Sequence, residues 1–140
     1  MTENPETPEV QQKIRLLIVD DHPLVRRGLT DLFSRAEDVE IVGTAADGVQ
    51  AVTMSIQESP NIVLMDLSMP TMNGIEATSR LLEACPEVRV VMLTSFSGKE
   101  RVEDALRAGA VGYILKDSSS DQVLKVVREA ARSSTRFSDL

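Results

Sequence analysis

The chain has 140 residues, a length that suits one domain with a full hydrophobic core. Acidic residues outnumber Lys and Arg by 22 to 15, and the net charge of −7 disfavours nucleic-acid binding by this segment, because contacts with phosphates need clustered cations. The single cysteine, Cys85, cannot form an internal disulfide, which suits a reducing compartment. There is no signal-peptide pattern and no apolar run near the roughly 20 residues of a membrane helix, so we expect a soluble, cytoplasmic protein with no membrane partner.

Both ends of the chain are polar. The first twelve residues hold Pro5, Pro8 and three glutamates but almost no large apolar side chain, so they cannot bury enough surface to offset the entropy of ordering. We therefore predict a disordered tail over residues 1–12 and a folded domain over residues 13–133. Residues 134–140 are predicted to begin a linker or to form a C-terminal tail.

Within the domain, five short apolar segments alternate with five segments of helical periodicity. The first and third, Ile14–Asp20 and Ile62–Asp66, each contain four consecutive apolar residues followed by an acid, as expected of parallel strands covered on both faces. The second, Glu40–Ala45, includes Gly43 and Thr44, which indicates an edge strand. The last two strands are predicted over Val90–Thr94 and Gly112–Lys116. This alternation predicts an α/β fold, a flavodoxin-like, doubly wound, five-stranded parallel sheet in the order 2-1-3-4-5 with five helices.

Capping residues and apolar spacing predict where the helices begin and which faces they bury. Asp47 is a good N-cap for the second helix, and Ser119 begins a capping box for the last. In the second helix, Val49, Val52 and Ile56 recur at i, i+3 and i+7, so we predict that this face packs against the sheet.

Polar side chains stand at the carboxyl ends of four of the predicted strands. Asp20 and Asp21 follow the first strand, Asp66 ends the third, Thr94 ends the fourth and Lys116 ends the fifth. Right-handed crossovers bring these ends to one edge of the sheet, and the switch point of the 2-1-3-4-5 order lies between the two strands that end in acids. Taken one at a time, these residues would more often be caps, solvated loop charges or ordinary strand formers.

A crevice holding three carboxylates favours a cation, and hard oxygen ligands suit Mg²⁺. Magnesium accepts one or two carboxylates together with phosphate oxygens, so a phosphoryl group is the expected guest. A carboxylate can attack phosphorus to form an aspartyl phosphate, with Lys116 as a fixed cation and Thr94 as a hydroxyl donor. His22, next to the acids, is better interpreted as a capping or loop residue than as a magnesium ligand.

Four motifs follow one another along the chain: Asp20-Asp21, Asp66-Leu67-Ser68-Met69-Pro70 with Asn73-Gly74, Thr94-Ser95, and Tyr113-Ile114-Leu115-Lys116. In this order they resemble the receiver domain of bacterial two-component response regulators, with its CheY-like fold. The opening around Asp20 and the ending around Lys116 are most similar to the NarL/LuxR-type subfamily.

The resemblance implies a phosphorylation-controlled signalling switch. Asp66 would be the phosphoacceptor for a sensor histidine kinase, in a reaction that depends on Mg²⁺. The metal would be held by Asp21, Asp66 and the backbone carbonyl of Ser68, with Asp20 acting through water. The chain would not be an enzyme in the usual sense, but a phosphoacceptor that assists its own phosphorylation and dephosphorylation.

The resemblance also implies how the signal leaves the site. Lys116 and Thr94 would contact the phosphoryl group, and Tyr113 would be the aromatic switch that changes rotamer with Thr94. Regulators of this subfamily form phosphorylation-promoted homodimers and usually regulate transcription through a C-terminal helix-turn-helix domain, which this chain does not contain. Phe96 either shields the phosphoryl group or packs against the loop.

Two residues depart from the broader receiver pattern, and other functions stay open. Asp117 stands where many receivers have proline, which leaves the isomer of the Lys116–Asp117 bond undecided, and Asn73 stands where an acid is frequent. The alternatives are a stand-alone receiver that acts as a phosphorelay or protein-interaction module and, less favoured, an aspartyl-phosphate-forming phosphatase. Such a phosphatase needs a second acid two residues after the nucleophile, where this chain has Ser68.

Overall fold

The computed structural model describes residues 13–95 and 99–132, with side chains in the helix that begins at Lys99 described from residue 101 onward. These ranges contain five strands that alternate with five helices. The strands are β1 (Ile14–Val19), β2 (Val39–Ala45), β3 (Ile62–Asp66), β4 (Arg89–Thr94) and β5 (Gly112–Leu115). The helices are α1 (Pro23–Ser34), α2 (Gly48–Glu58), α3 (Gly74–Ala84), α4 (Lys99–Ala108) and α5 (Ser120–Arg132).

All five strands pair in parallel, in the order β2-β1-β3-β4-β5. The predicted order and the edge position of β2 are therefore confirmed. The chain reverses its direction of travel across the sheet between β1 and β3, which lie side by side with Val19 opposite Met65. The residues that follow this pair, Asp20 and Asp66, are consequently neighbours at the carboxyl edge of the sheet.

Alternate strand residues supply two cores, one on each face of the sheet. On one face, Leu17 and Met65 pack with residues of α2, α3 and α4. On the other face, Leu16 and Leu64 pack with residues of α1 and α5, including Phe33. The strands β1 and β3 are covered by helices on both faces of the sheet, which explains why their sequences are mostly apolar.

The face that α2 buries differs from the prediction. Val49 and Ile56 are 56% and 59% exposed, whereas Gly48, Ala51 and Ser55 are buried. The buried residues have the same i, i+3, i+7 spacing, shifted by one position. Close packing against the start of α3 explains the choice, because a Cβ on Gly48 would lie only 3.0 Å from the Cβ of Ala77. The small residues therefore face inward, and the prediction for Val49 and Ile56 was wrong.

Two predicted helix caps are present. The Asp47 carboxylate accepts a hydrogen bond from the backbone N–H of Gln50 at 2.8 Å, and the Ser119 hydroxyl accepts one from that of Gln122 at 3.2 Å. Within residues 13–95 and 99–132, no helix is long and apolar enough to cross a membrane.

Candidate acidic site at the carboxyl edge of the sheet

Two buried carboxylates form the base of a site at the switch point between β1 and β3. Asp20 follows β1 and is fully buried, and Asp66 is the last residue of β3 and only 1% exposed. Asp21 lies above them, with its side chain 26% exposed. The parallel register carries each of these acids to the same edge, as the sequence predicts.

The loop that leaves β1 folds back over these acids. Asp20 Oδ1 accepts a hydrogen bond from the backbone N–H of His22 at 2.8 Å. The His22 ring nitrogen Nδ1 lies 3.0 Å from Asp20 Oδ1 and 3.1 Å from Asp21 Oδ1. Potential ligand atoms of Asp20, Asp21, His22 and Asp66 all fall within 4.8 Å of one another. His22 occupies the N-cap position of α1 but makes no side-chain capping bond, because its ring is directed to the carboxylates.

Lys116 joins the two buried acids. Its Nζ lies 3.2 Å from Asp66 Oδ2 and 3.4 Å from Asp20 Oδ2. The strand pairing of β4 with β5 places Lys116 here, since its backbone N–H donates to the Thr94 carbonyl at 2.8 Å. The peptide bond after Lys116 is trans, so the substitution of Asp117 for the frequent proline leaves the lysine in place.

The described residues do not supply enough hydrogen-bond donors for all the carboxylate oxygens of this site. Asp20 Oδ2, Asp21 Oδ1 and Asp66 Oδ2 are buried without a hydrogen bond from any described residue, although Lys116 and His22 lie at ion-pair distance. Burial first, and then the charge of Asp20, raise the pKa of Asp66 from its ordinary value of 3.8 to about 6. The nearby Lys116 ammonium and the Ser68 N–H oppose that rise.

These carboxylates fit a hard divalent cation. Mg²⁺ takes carboxylate oxygens and water, and the buried oxygens that lack donors on Asp20, Asp21 and Asp66 are ligands of that kind. His22 belongs to the same cluster, but its imidazole is a poor magnesium ligand and hydrogen-bonds to the acids instead.

The β3–α3 loop fixes the orientation of Asp66. Its Oδ1 accepts a hydrogen bond from the backbone N–H of Ser68 at 3.1 Å. The loop is closed by the Gly74 N–H, which donates to the Leu67 carbonyl at 2.8 Å. A side chain at position 74 would collide with this loop, because a Cβ on Gly74 would lie 2.5 Å from the Asp66 carbonyl oxygen. Asn73, which replaces the frequent acid, caps α3 through the Glu76 N–H at 2.9 Å.

The two predicted switch residues lie on the two strands beyond β3, Thr94 at the end of β4 and Tyr113 on β5. Thr94 is buried at the end of β4, and its hydroxyl donates to the Ser95 carbonyl at 3.1 Å. Tyr113 lies on β5 with 45% of its surface exposed. The prediction for Phe96 falls outside the described residues.

Sequence reasoning missed two arginines near the site. Arg26 Nη1 donates to the backbone carbonyl of Asp20 at 2.6 Å and fixes the end of β1. Arg101 on α4 reaches the β3–α3 loop, where its Nη1 donates to the Ser68 hydroxyl at 3.4 Å. Neither contact has a sequence signal, because an arginine on a helix surface is ordinary unless the neighbouring element is known.

A doubly wound sheet with acids at its switch point and a lysine directly after β5 defines the receiver class of signalling domain. The family model of the response regulator receiver domain matches residues 16–128, and the chain belongs to that family. The resemblance stated from the motifs is therefore confirmed.

The individual relatives include a response regulator and a transcriptional regulatory protein. The chain is 40% identical over 124 residues to the response regulator protein VraR of Staphylococcus aureus, which covers 89% of this chain and 59% of VraR. It is 37% identical over 119 residues to the transcriptional regulatory protein LiaR of Bacillus subtilis, and this alignment covers 85% of this chain and 56% of LiaR. The chain thus spans little more than half the length of these curated relatives.

Solved structures agree with the fold and the subfamily. A two-component response regulator of the LuxR family from Aurantimonas superposes with a TM-score of 0.81 at 31% identity, covering 91% of this chain and 93% of that one. The similarity to the NarL/LuxR-type subfamily is confirmed by these comparisons.

Proposed function

We propose that this chain is a phosphorylation-controlled switch in which Asp66 accepts a phosphoryl group from a sensor histidine kinase in the cytoplasm. The observation that carries the proposal is the state of the Asp66 carboxylate. It is buried, oriented through Oδ1 by the Ser68 N–H, and has an undonated Oδ2 at 3.2 Å from Lys116 Nζ. A structural acid would have its oxygens satisfied, whereas a nucleophile needs one that is available.

The transfer follows from the positions of these groups. A carboxylate oxygen of Asp66 attacks phosphorus while the bond from phosphorus to the kinase imidazole nitrogen breaks, and the bonding electron pair returns to that nitrogen. A pKa near 6 keeps Asp66 mostly ionised at neutral pH yet more basic than an ordinary aspartate. Lys116 stabilises the charge on the phosphoryl oxygens.

Mg²⁺ would be held by Asp21, Asp66 and the Ser68 backbone carbonyl, with Asp20 acting through water, and would neutralise charge between the carboxylates and the phosphate. The residues of the chain supply the rest: orientation of Asp66 by the loop and exclusion of water by the strand ends around it. On this proposal the chain assists its own phosphorylation and dephosphorylation and is not otherwise an enzyme.

The signal would leave through Thr94 and Tyr113. The Thr94 hydroxyl exchanges the Ser95 carbonyl for a phosphoryl oxygen, and the exposed Tyr113 ring turns into the space that this opens. The resulting change on α4, β5 and α5 would promote a homodimer. A switch from 1% to 99% of the active form needs about 5.5 kcal/mol of differential interaction between the two forms. Contacts made by the phosphoryl group, which adds a charge of about −1.5 to −2, would supply part of that free energy.

For the whole regulator we propose control of transcription through a C-terminal helix-turn-helix domain outside this chain. The name of LiaR, a transcriptional regulatory protein, and the fraction of the lengths of LiaR and VraR that this chain covers support this output. A reading frame without a DNA-binding domain after Leu140 would favour the stand-alone relay instead.

The phosphoacceptor is tested by incubating the chain with acetyl phosphate and Mg²⁺ and measuring the intact mass. We expect one added phosphoryl group on the wild type and none on Asp66→Asn. The matched control is Asp31→Asn, which changes an exposed aspartate on α1 and should be labelled like the wild type. Equal labelling of Asp66→Asn would overturn the assignment, and turnover of an external phosphoester would favour the phosphatase.

A further inference from the structure

Arg101 is a cation beside the acidic site whose charge has no carboxylate partner among the described side chains. The other described arginine of α4, Arg107, lies 2.7 Å from Asp104 and 3.8 Å from Glu103. Arg101 instead extends to a neighbouring loop and donates a hydrogen bond to the Ser68 hydroxyl. A guanidinium that could pair with acids on its own helix, and is directed at the acidic site instead, calls for an explanation.

The contact between Arg101 and Ser68 is weak and adjoins Asp66. Its 3.4 Å length is beyond the usual range for an N–H···O hydrogen bond, so little free energy is lost when it breaks. Ser68 is exposed at the mouth of the site, and its backbone N–H holds Asp66 Oδ1. Arg101 is thus held on the solvent side of a carboxylate that is almost fully buried.

Phosphorylation would change the preferred partner of this guanidinium. A phosphoryl group brings about −1.5 to −2 of charge and three strong acceptor oxygens. Guanidinium pairs with phosphate through two parallel hydrogen bonds, which are stronger than a single bond to a neutral hydroxyl. Lys116 lies beside Asp66 Oδ2, whereas Arg101 approaches from the solvent side, through the hydroxyl of the exposed Ser68 rather than through its backbone carbonyl.

We propose that Arg101 covers the phosphoryl group on Asp66 and lengthens its lifetime. The inference rests on the proposed function. After transfer, the guanidinium leaves the Ser68 hydroxyl and donates to phosphoryl oxygens on the solvent side. Hydrolysis needs a water oxygen to attack phosphorus while the bond to Asp66 breaks, its electron pair returns to the carboxylate, and inorganic phosphate and a proton leave. Arg101 hinders the approach of that water and, because it stays protonated, cannot act as its general base.

The test compares Arg101→Ala, Arg101→Lys and the matched control Arg107→Ala. Each protein is phosphorylated with acetyl phosphate and Mg²⁺, freed of donor, and followed by intact mass with Mg²⁺ present and after chelation by EDTA. We expect Arg101→Ala to lose its phosphoryl group at least about threefold faster in both conditions, a size that suits an exposed charge-assisted contact. Arg101→Lys should be intermediate and Arg107→Ala should match the wild type.

Ionic strength gives a second measurement that a purely structural role for Arg101 would not affect. Salt screens an exposed arginine–phosphate pair, so the wild-type lifetime should fall toward that of Arg101→Ala as salt is raised. Equal or longer lifetimes in Arg101→Ala, or the same salt dependence in both proteins, would overturn the inference. Failure of the wild type to be labelled at all would instead overturn the proposed function.

Discussion

The two edges of the sheet in this receiver domain differ in how far their polar groups are hydrogen-bonded. At the amino edge, Asn61 joins three strands: its N–H donates to the Arg15 carbonyl at 2.8 Å, its Oδ1 accepts from the Arg15 N–H at 2.7 Å, and its carbonyl accepts from the Arg89 N–H at 3.0 Å. At the carboxyl edge, three carboxylate oxygens are buried without a hydrogen-bond donor from the described residues.

This contrast separates a structural edge from a functional one. A buried polar atom without a partner costs free energy, and the cost is greatest when the atom carries charge. The amino edge also has unpaired buried atoms, Ser55 Oγ and Arg89 Nε, but they do not concentrate like charges at one point. The carboxyl edge combines Asp20 and Asp66 at the base of one crevice, an arrangement that costs stability and that the proposed function uses to bind a cation and a phosphoryl group.

The largest expected effect is steric and lies at the carboxyl edge. Gly74→Ala should lower the free energy of unfolding by about 3 kcal/mol, because its Cβ would lie 2.5 Å from the Asp66 carbonyl oxygen and 2.9 Å from the Leu67 Cα. Urea denaturation measures the change. The control is Gly28→Ala on α1, where a Cβ meets nothing within 4 Å and helix propensity predicts a gain of about 0.5 to 1 kcal/mol. Equal stabilities for the two variants would contradict the tight loop.

The next effect concerns the charge on Asp66 in the absence of Mg²⁺. The pKa of Asp66 is about 6 in the folded protein, against 3.8 ordinarily, so its favourable contribution is complete below pH 3.8 and is lost as the pH rises through 6. The asparagine side chain of the Asp66→Asn variant cannot ionise, so the variant does not lose this stability as the pH rises. Its free energy of unfolding relative to that of the wild type should therefore increase by about 2 to 3 kcal/mol between low pH and pH 8.

Urea denaturation at pH 5 and pH 8 in EDTA measures about half of this change, roughly 1.4 kcal/mol, because part of the contribution is already lost at pH 5. Added Mg²⁺ should reduce the difference between the variant and the wild type at pH 8. A stability difference between Asp66→Asn and wild type that does not vary with pH would show that Asp66 is not destabilised by its surroundings.

At the amino edge we expect a smaller effect on stability and none on phosphorylation. Asn61→Ala removes the acceptor for the Arg15 N–H and should lower the free energy of unfolding by about 1 kcal/mol. Asn61→Asp keeps an acceptor oxygen and should lose less. Labelling of either variant by acetyl phosphate should match the wild type, and slower labelling would show that the two edges are coupled.

The smallest effect belongs to an exposed ion pair that joins α5 to the start of β2. Arg128 Nε and Nη2 lie 2.8 Å and 2.9 Å from the Asp38 carboxylate, and the resulting hydrogen bonds are the main reason that the pKa of Asp38 is lowered. The stabilisation is present above the unfolded-state pKa near 4 and is lost as the pH falls through the lower folded-state pKa. Because the pair is partly exposed, Asp38→Asn should lower the free energy of unfolding at pH 7 by only about 0.5 kcal/mol.

Thermal unfolding at pH 7 in low and high salt measures the contribution of this pair, since salt should remove most of it. Asp31→Asn, which alters an exposed aspartate with no ion pair among the described residues, is the control. A loss above 2 kcal/mol in Asp38→Asn would show that the pair is structural.

The sequence by itself determined the parallel sheet, its order and the residues at its carboxyl edge. Short apolar runs that end on acids indicate strands buried on both faces, and right-handed crossovers then place Asp20, Asp66 and Lys116 together. Capping by Asp47 and Ser119 is equally local, since a cap and its partner lie three residues apart.

Only the tertiary structure decided features that depend on how elements approach one another. The i, i+3, i+7 spacing fits both faces of α2, and the close approach of α3 selected the small residues over Val49 and Ile56. The Thr94 hydroxyl could be directed to Asp66 or to the Ser95 carbonyl, and the backbone after β4 sets that choice. Arg101 reaches Ser68, 33 positions earlier in the chain, because α4 packs beside the β3–α3 loop, a distance in sequence that no local pattern records.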